Sequence, residues 1–169
     1  MDILIDKRTR TRKILPLLTI SNIGDVIKNV PAIPMRKPLT DWTIEEFDEA
    51  LTSPETVLFK MALQNRRALV FLGRVKDFYD SLEGFQKFTQ QFEIKQSAEE
   101  KQAANGVPFP SFGNSMLITL IEFYHLHSVE EASKMRLKEY MLAFQHNAAN
   151  AMFNKRYSDI TMKKAKARK

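Results

Sequence analysis

The sequence predicts an all-α protein, a helical bundle with an extended N-terminal arm and a basic C-terminal tail. Three observations carry this. Helix-start signatures recur from residue 43 onward. Apolar residues after each start return at helical spacing. Glycine and proline are sparse, at 5 and 7 in 169 residues, and Pro31, Pro34 and Pro38 fall in one short stretch.

Residues 1–40 are read as a Pro-containing arm. Proline fixes φ and biases its predecessor toward extended backbone, so "VPAIPMRKP" is an extended strap. One short helix is expected near Ser21–Lys28, and "DILID" with "RTRTRKIL" fits a strand pair or an edge strand. Forty residues of strap are unusual inside a compact domain, so the arm is expected to lie on another chain. Its basic residues are Lys7, Arg8, Arg10, Arg12 and Lys13. They are candidates for contact with a partner subunit or with phosphate.

Residues 41–160 are read as a helical body. Thr43…Glu46, Ser97…Glu100 and Ser128…Glu131 are capping boxes, in which the hydroxyl takes a first-turn amide and the glutamate reaches back. Ser53-Pro54 adds an N-cap followed by proline at the first helical position. The longest element is a Phe-rich helix over 54–95, with Phe71, Val75, Phe78, Leu82, Phe85 and Phe92 on one stripe that faces the core. It is either continuous or broken at Gly73 or Gly84, each of which costs about 1 kcal/mol relative to alanine. Residues 105–115 form a loop, with Gly106 capping the helix before it and Asn114 or Ser115 opening the next. The last helix runs from about Leu137 to Lys155 and buries Leu137, Tyr140, Met141, Phe144, Ala148 and Met152. Residues 161–169 form the basic tail, with Lys163, Lys164, Lys166, Arg168 and Lys169.

Composition removes several classes. Cysteine is absent, which excludes disulfides and thiolate metal sites. No apolar run approaches the roughly 18 residues of a membrane span. Asp2, Asp6 and the early proline argue against a secretory leader, so the chain is expected not to be secreted. The net charge is +6, yet residues 1–13 carry +3 and residues 163–169 carry +5, leaving −2 for the body. A nucleic-acid reader carries its basic surface on the folded face. Here any pull on phosphate comes from the ends.

Little points to catalysis, and no enzymatic activity, cofactor or metal is expected. Glu122 and His125 have the Glu-x-x-His spacing of di-iron bundles, but the second copy that such a site needs is missing. The alternative is that His125 and His127 close a helix at its C-terminus. Asp77, Asp80 and Glu83 read as a solvated face. One charge pattern is a candidate subunit contact. Glu45, Glu46 and Glu49 lie in an acidic stretch, and Arg66, Arg67 and Arg74 in the basic stretch that follows. The two stretches are two ordinary solvated faces, or they pair within one fold, or they form the two sides of a head-to-tail ring contact.

The segment "LIEFYHLHSVEEASKMRLKEYMLAFQHNAANAMFNKR" (120–156) is a helix, a turn carrying S-x-E-E-A, a short helix, and M-x-L-x-E-Y opening a long helix. It resembles small helical proteins of tailed bacteriophages, namely head–tail connector proteins and tail-assembly chaperones. The resemblance implies a non-enzymatic structural or assembly subunit, located in the virion or the host cytoplasm, and transfers no catalytic residues. The expected function is a virion protein at the portal or head–tail connector. Its expected partners are copies of itself in a ring, neighbouring structural proteins and packaged DNA. The alternatives are a tail-assembly chaperone and a DNA- or ribosome-associated module that binds through its basic termini.

Overall fold

A computed structural model describes residues 20–65, 67–92, 98–108 and 110–167. Among these the protein is all-α, with eight helices and no strand: α1 Ile20–Ile27, α2 Ile44–Thr52, α3 Pro54–Gln64, α4 Ala68–Gln90, α5 Ala98–Ala104, α6 Phe112–Tyr124, α7 Val129–Lys134 and α8 Leu137–Ala167. The chain divides into two compact units between Gln86 and Lys87, so the last turn of α4 belongs to the second. The strand pair expected near the N-terminus, and Ser97 with its capping box, lie outside the described residues.

The first unit is built around the Phe-rich stripe. Phe71, Val75 and Phe78 on α4 are fully buried, and Ile44 and Phe47 on α2 with Val57, Leu58 and Met61 on α3 close over them. Phe47 meets Phe85 edge-on at 5.0 Å, and Trp42 stacks on Phe78 at 5.6 Å. The capping box at Thr43 forms as its spacing requires, with Glu46 N–H on Thr43 Oγ1 and Thr43 N–H on Glu46 Oε2. Ser53 makes no side-chain cap, and Pro54 occupies the first turn of α3.

The long helix is broken, but at neither glycine. α3 ends at Gln64 and α4 starts at Ala68. Asn65 turns the chain, with φ −125° and ψ 114°. It is buried, donates its side-chain amide to Met61 O, and accepts from Arg74. A local propensity cost is thus outweighed by a buried polar group whose partners lie on both sides of the break. Gly73 stays helical because the strap needs it. Ile33 N–H donates to Gly73 O at 2.9 Å, and a Cβ on Gly73 would lie 2.6 Å from Ile33 Cγ1.

This contact belongs to the expected arm. Over residues 20–38 the arm packs on its own unit through Ile33 and Met35. The short helix is present as α1, with Ile23 and Ile27 buried. Met35 is buried and its N–H donates to Asp77 Oδ2 at 2.9 Å, so Asp77 is a structural acceptor and not merely a solvated acid. Lys76 and Asp80 do form a surface ion pair.

The second unit has a smaller core. Its buried apolar residues are Met116, Leu120, Ala132, Leu137, Tyr140 and Ala143. Half-buried Phe144 gathers Phe88, Phe92 and Tyr140 around it, with ring centroids 5.7 to 6.1 Å apart. Gly106 takes φ +79° just past α5, as its place after the helix predicts. α6 starts earlier than expected, because Ser111 rather than Asn114 or Ser115 is its N-cap. Ser128 caps α7, with Glu131 N–H on Ser128 Oγ at 3.2 Å, but the expected box is not closed, because Glu131 Oε2 takes the His127 N–H rather than that of Ser128. α8 reaches Ala167, beyond the expected end at Lys155 and through much of the expected tail.

Burial pushes the Tyr140 phenol up to about 12, from an ordinary value near 10. The unfolded chain therefore gives up this proton first, and the unit loses stability as pH rises from about 10 to 12. Tyr140→Phe removes this titration. An alkaline titration followed by circular dichroism is expected to show a higher midpoint for the phenylalanine chain, and equal midpoints would refute the assignment.

Candidate interaction surface

α8 carries two apolar faces. The inner one is the stripe read from the sequence. Leu137 and Tyr140 are buried, and Met141, Phe144, Ala148 and Met152 are half-buried. The outer one holds Leu142, Phe153, Tyr157 and Ile160, exposed to 57, 66, 65 and 53 %. At 3.6 residues per turn these four fall within about 60° of arc, opposite the inner stripe. The 11-residue step from Leu142 to Phe153 is close to three helical turns, which keeps both on one line. Phe153 and Tyr157 stack with centroids 6.3 Å apart.

Polar groups frame this row. His146 lies on the same face, bonded to Asn150 and edge-on to Phe123. Past Ile160, Lys163 and Lys164 are exposed on the same helix. Elsewhere in the second unit Val107, Phe112, Ile118, Val129 and Met162 are also exposed. Among the described residues, this unit exposes more large apolar side chains than it buries. Scattered apolar residues are ordinary on a surface, but Phe153, Tyr157 and Ile160 fall within two turns of one another and form a patch of the kind that marks an interface, with Leu142 three turns away beyond His146 and Asn150.

The residues predicted from sequence are distributed as follows. Lys7, Arg8, Arg10, Arg12, Lys13, Arg66, Arg168 and Lys169 lie outside the described residues. Lys166 is within α8. Of the acidic–basic pattern, two carboxylates pair inside the fold, Glu46 with Lys37 and Glu49 with Lys60. Burial opposes ionisation of Glu46, but the Lys37 ammonium and the Thr43 N–H outweigh it and hold the carboxyl below its ordinary range. Glu45 and Arg67 are exposed, and Arg74 is half-buried against Asn65. His125 ends α6 in the left-handed region, at φ 54° and ψ 43°, and so leaves the helical face that Glu122 occupies. Among the described residues no group of His, Asp and Glu has the arrangement of a metal site, and no helix is long and apolar enough to cross a membrane.

Sequence reasoning misses the outer row because the inner stripe runs out near Lys155, where the sequence alone predicts the helix to end. The step of 11, 4 and 3 residues through 142, 153, 157 and 160 is the signal that finds it. No protein-family model, curated protein or solved structure matches the chain.

Proposed function

We propose that this chain is a non-enzymatic assembly subunit of a tailed bacteriophage, working through the outer face of α8. The observation that carries the reading is the exposed row Leu142–Phe153–Tyr157–Ile160 on a helix whose other face already packs its own unit. Such a row is a site for another helix, read as anchors one and two turns apart. The resemblance of residues 120–156 supplies the phage setting. That segment forms the end of α6, α7 and the first two-thirds of α8.

Two roles fit the class. A head–tail connector protein stays in the particle and needs a closed ring. A tail-assembly chaperone holds an apolar partner and leaves. The chaperone role is favoured by one observation. Glu46 and Glu49, two of the acids that the ring contact would use, are neutralised by lysines of the same unit.

The test uses the phage that carries the gene. Replacing Phe153, Tyr157 and Ile160 together by serine is expected to leave the helical signal of the purified chain unchanged, since all three are exposed. It is expected to lower infectious yield at least about 100-fold, the effect of losing apolar anchors that contribute roughly 1–3 kcal/mol each. Normal yield with the folded variant sinks the proposal. Mass spectrometry of purified wild-type particles then separates the roles: a fixed copy number means a connector, and absence means a chaperone. Retention on DNA that falls steeply with salt, with the serine variant fully active, would favour the nucleic-acid module instead.

A further inference from the structure

The first unit contains a cavity of about 370 Å³ between the strap, α2, α3 and α4. That is within the roughly 300–1,000 Å³ of small-ligand sites. Its wall is part cationic and part apolar. Lys37 and Lys60 line it with Glu46 and Glu49, and these four side chains pair with one another. Arg36 and Arg74 also line it, and among the described residues neither forms an ion pair. Arg36 donates to Gln64 O and Arg74 to Asn65 Oδ1, both neutral acceptors. Asp77, one turn along α4 from Arg74, gives its Oδ2 to the Met35 N–H instead.

Arg74 has a further unmet demand. Its Nε is buried away from water and, among the described residues, has no hydrogen-bond partner. A shielded donor on a charged group is destabilising until an acceptor arrives. A guanidinium presents a fork that matches carboxylate and phosphate oxygens in pairs. The rest of the wall suits a flat apolar body. Trp42, Met35 and Met61 line it, and the indole is held in place by its stack on Phe78 and by its N–H bond to Lys37 O.

We infer that this cavity binds an oxyanion, carboxylate or phosphate, borne on a ligand with a flat apolar portion. Arg74 and Arg36 hold the oxyanion, and the flat portion lies along Trp42. The inference rests on the first unit alone and does not depend on the role of α8.

The chain has one tryptophan, so its emission reports on the cavity wall directly. The full chain is titrated with phenyl phosphate and phenylacetate, which carry both features, and with inorganic phosphate and benzyl alcohol, which carry one each. Phenyl phosphate, phenylacetate or both are expected to change Trp42 emission saturably, at least ~10-fold more tightly than either half-ligand. Which one binds identifies phosphate or carboxylate as the preferred head group. Arg74→Met is expected to weaken that binding at least ~10-fold, and Arg74→Lys to restore it only in part, because a point charge replaces the fork. Should Arg74→Met unfold, Arg36→Met decides, since Arg36 is exposed and its loss leaves the core intact. A saturable response to neither aromatic anion up to about 10 mM, an equal response to benzyl alcohol, or binding untouched by the arginine variants overturns the inference.

Discussion

Replacing Phe78 by alanine is expected to remove about 3–5 kcal/mol from the stability of the first unit. The ring is fully buried, stacks on Trp42 at 5.6 Å, and meets Tyr79 edge-on at 5.4 Å. Part of the loss is transfer of apolar surface and part is the cavity left behind, because α2 and α4 are fixed by their other contacts. Against a typical total of about 5–15 kcal/mol this is a large fraction. Denaturant unfolding followed by Trp42 emission reads the first unit alone. A shift of less than about 1 kcal/mol would mean that Phe78 is not at the centre of this core.

The second large effect is at Gly73. Alanine there gains about 1 kcal/mol in helix propensity. It also places a Cβ 2.6 Å from Ile33 Cγ1 and 3.0 Å from Ile33 Cβ. The base of a β-branched side chain cannot swing away, and the Ile33 N–H is bonded to Gly73 O, so the strap must lift. Overpacking of this kind costs about 1–3 kcal/mol, and valine is expected to lie at or beyond the upper end. Gly84 is the matched control, for nothing lies within 4 Å of its Cβ position. Gly84→Ala is therefore expected to stabilise by about 1 kcal/mol, while Gly73→Ala destabilises. The same sign for both would refute the close packing of the strap. Pairing Gly73→Ala with Ile33→Ala should recover part of the loss, as coupled neighbours do.

What was legible in the sequence was local. Thr43 and Ser128 announce their helices because a cap is satisfied within four residues. The Phe stripe announces its buried face because periodicity is a property of one element. The break at Asn65 was hidden, since it depends on Arg74 across the gap and on Ile33 making Gly73 a packing residue rather than a breaker. The outer row of α8 was in principle visible as a spacing. It was obscured because the helix continues after its inner stripe has ended. The cationic cavity could not be read at all, because Arg36 and Arg74 belong to the strap and to α4 and meet only in the fold.

The strap contact also sets an order of events during synthesis. The Met35 amide waits for Asp77, 42 residues further along the chain. At about 5–20 residues per second that interval is roughly 2–8 s, before the ribosome tunnel is counted. Over that time Met35, buried in the finished unit, has no α4 to bond to, and Ile33 has no Gly73 carbonyl. The emerging chain thus presents a sticky segment to whatever is nearby, and the ribosome's own pace governs how long. A run of slow codons between positions 36 and 77 would prolong that exposure and lower the yield of folded protein without changing a single amino acid.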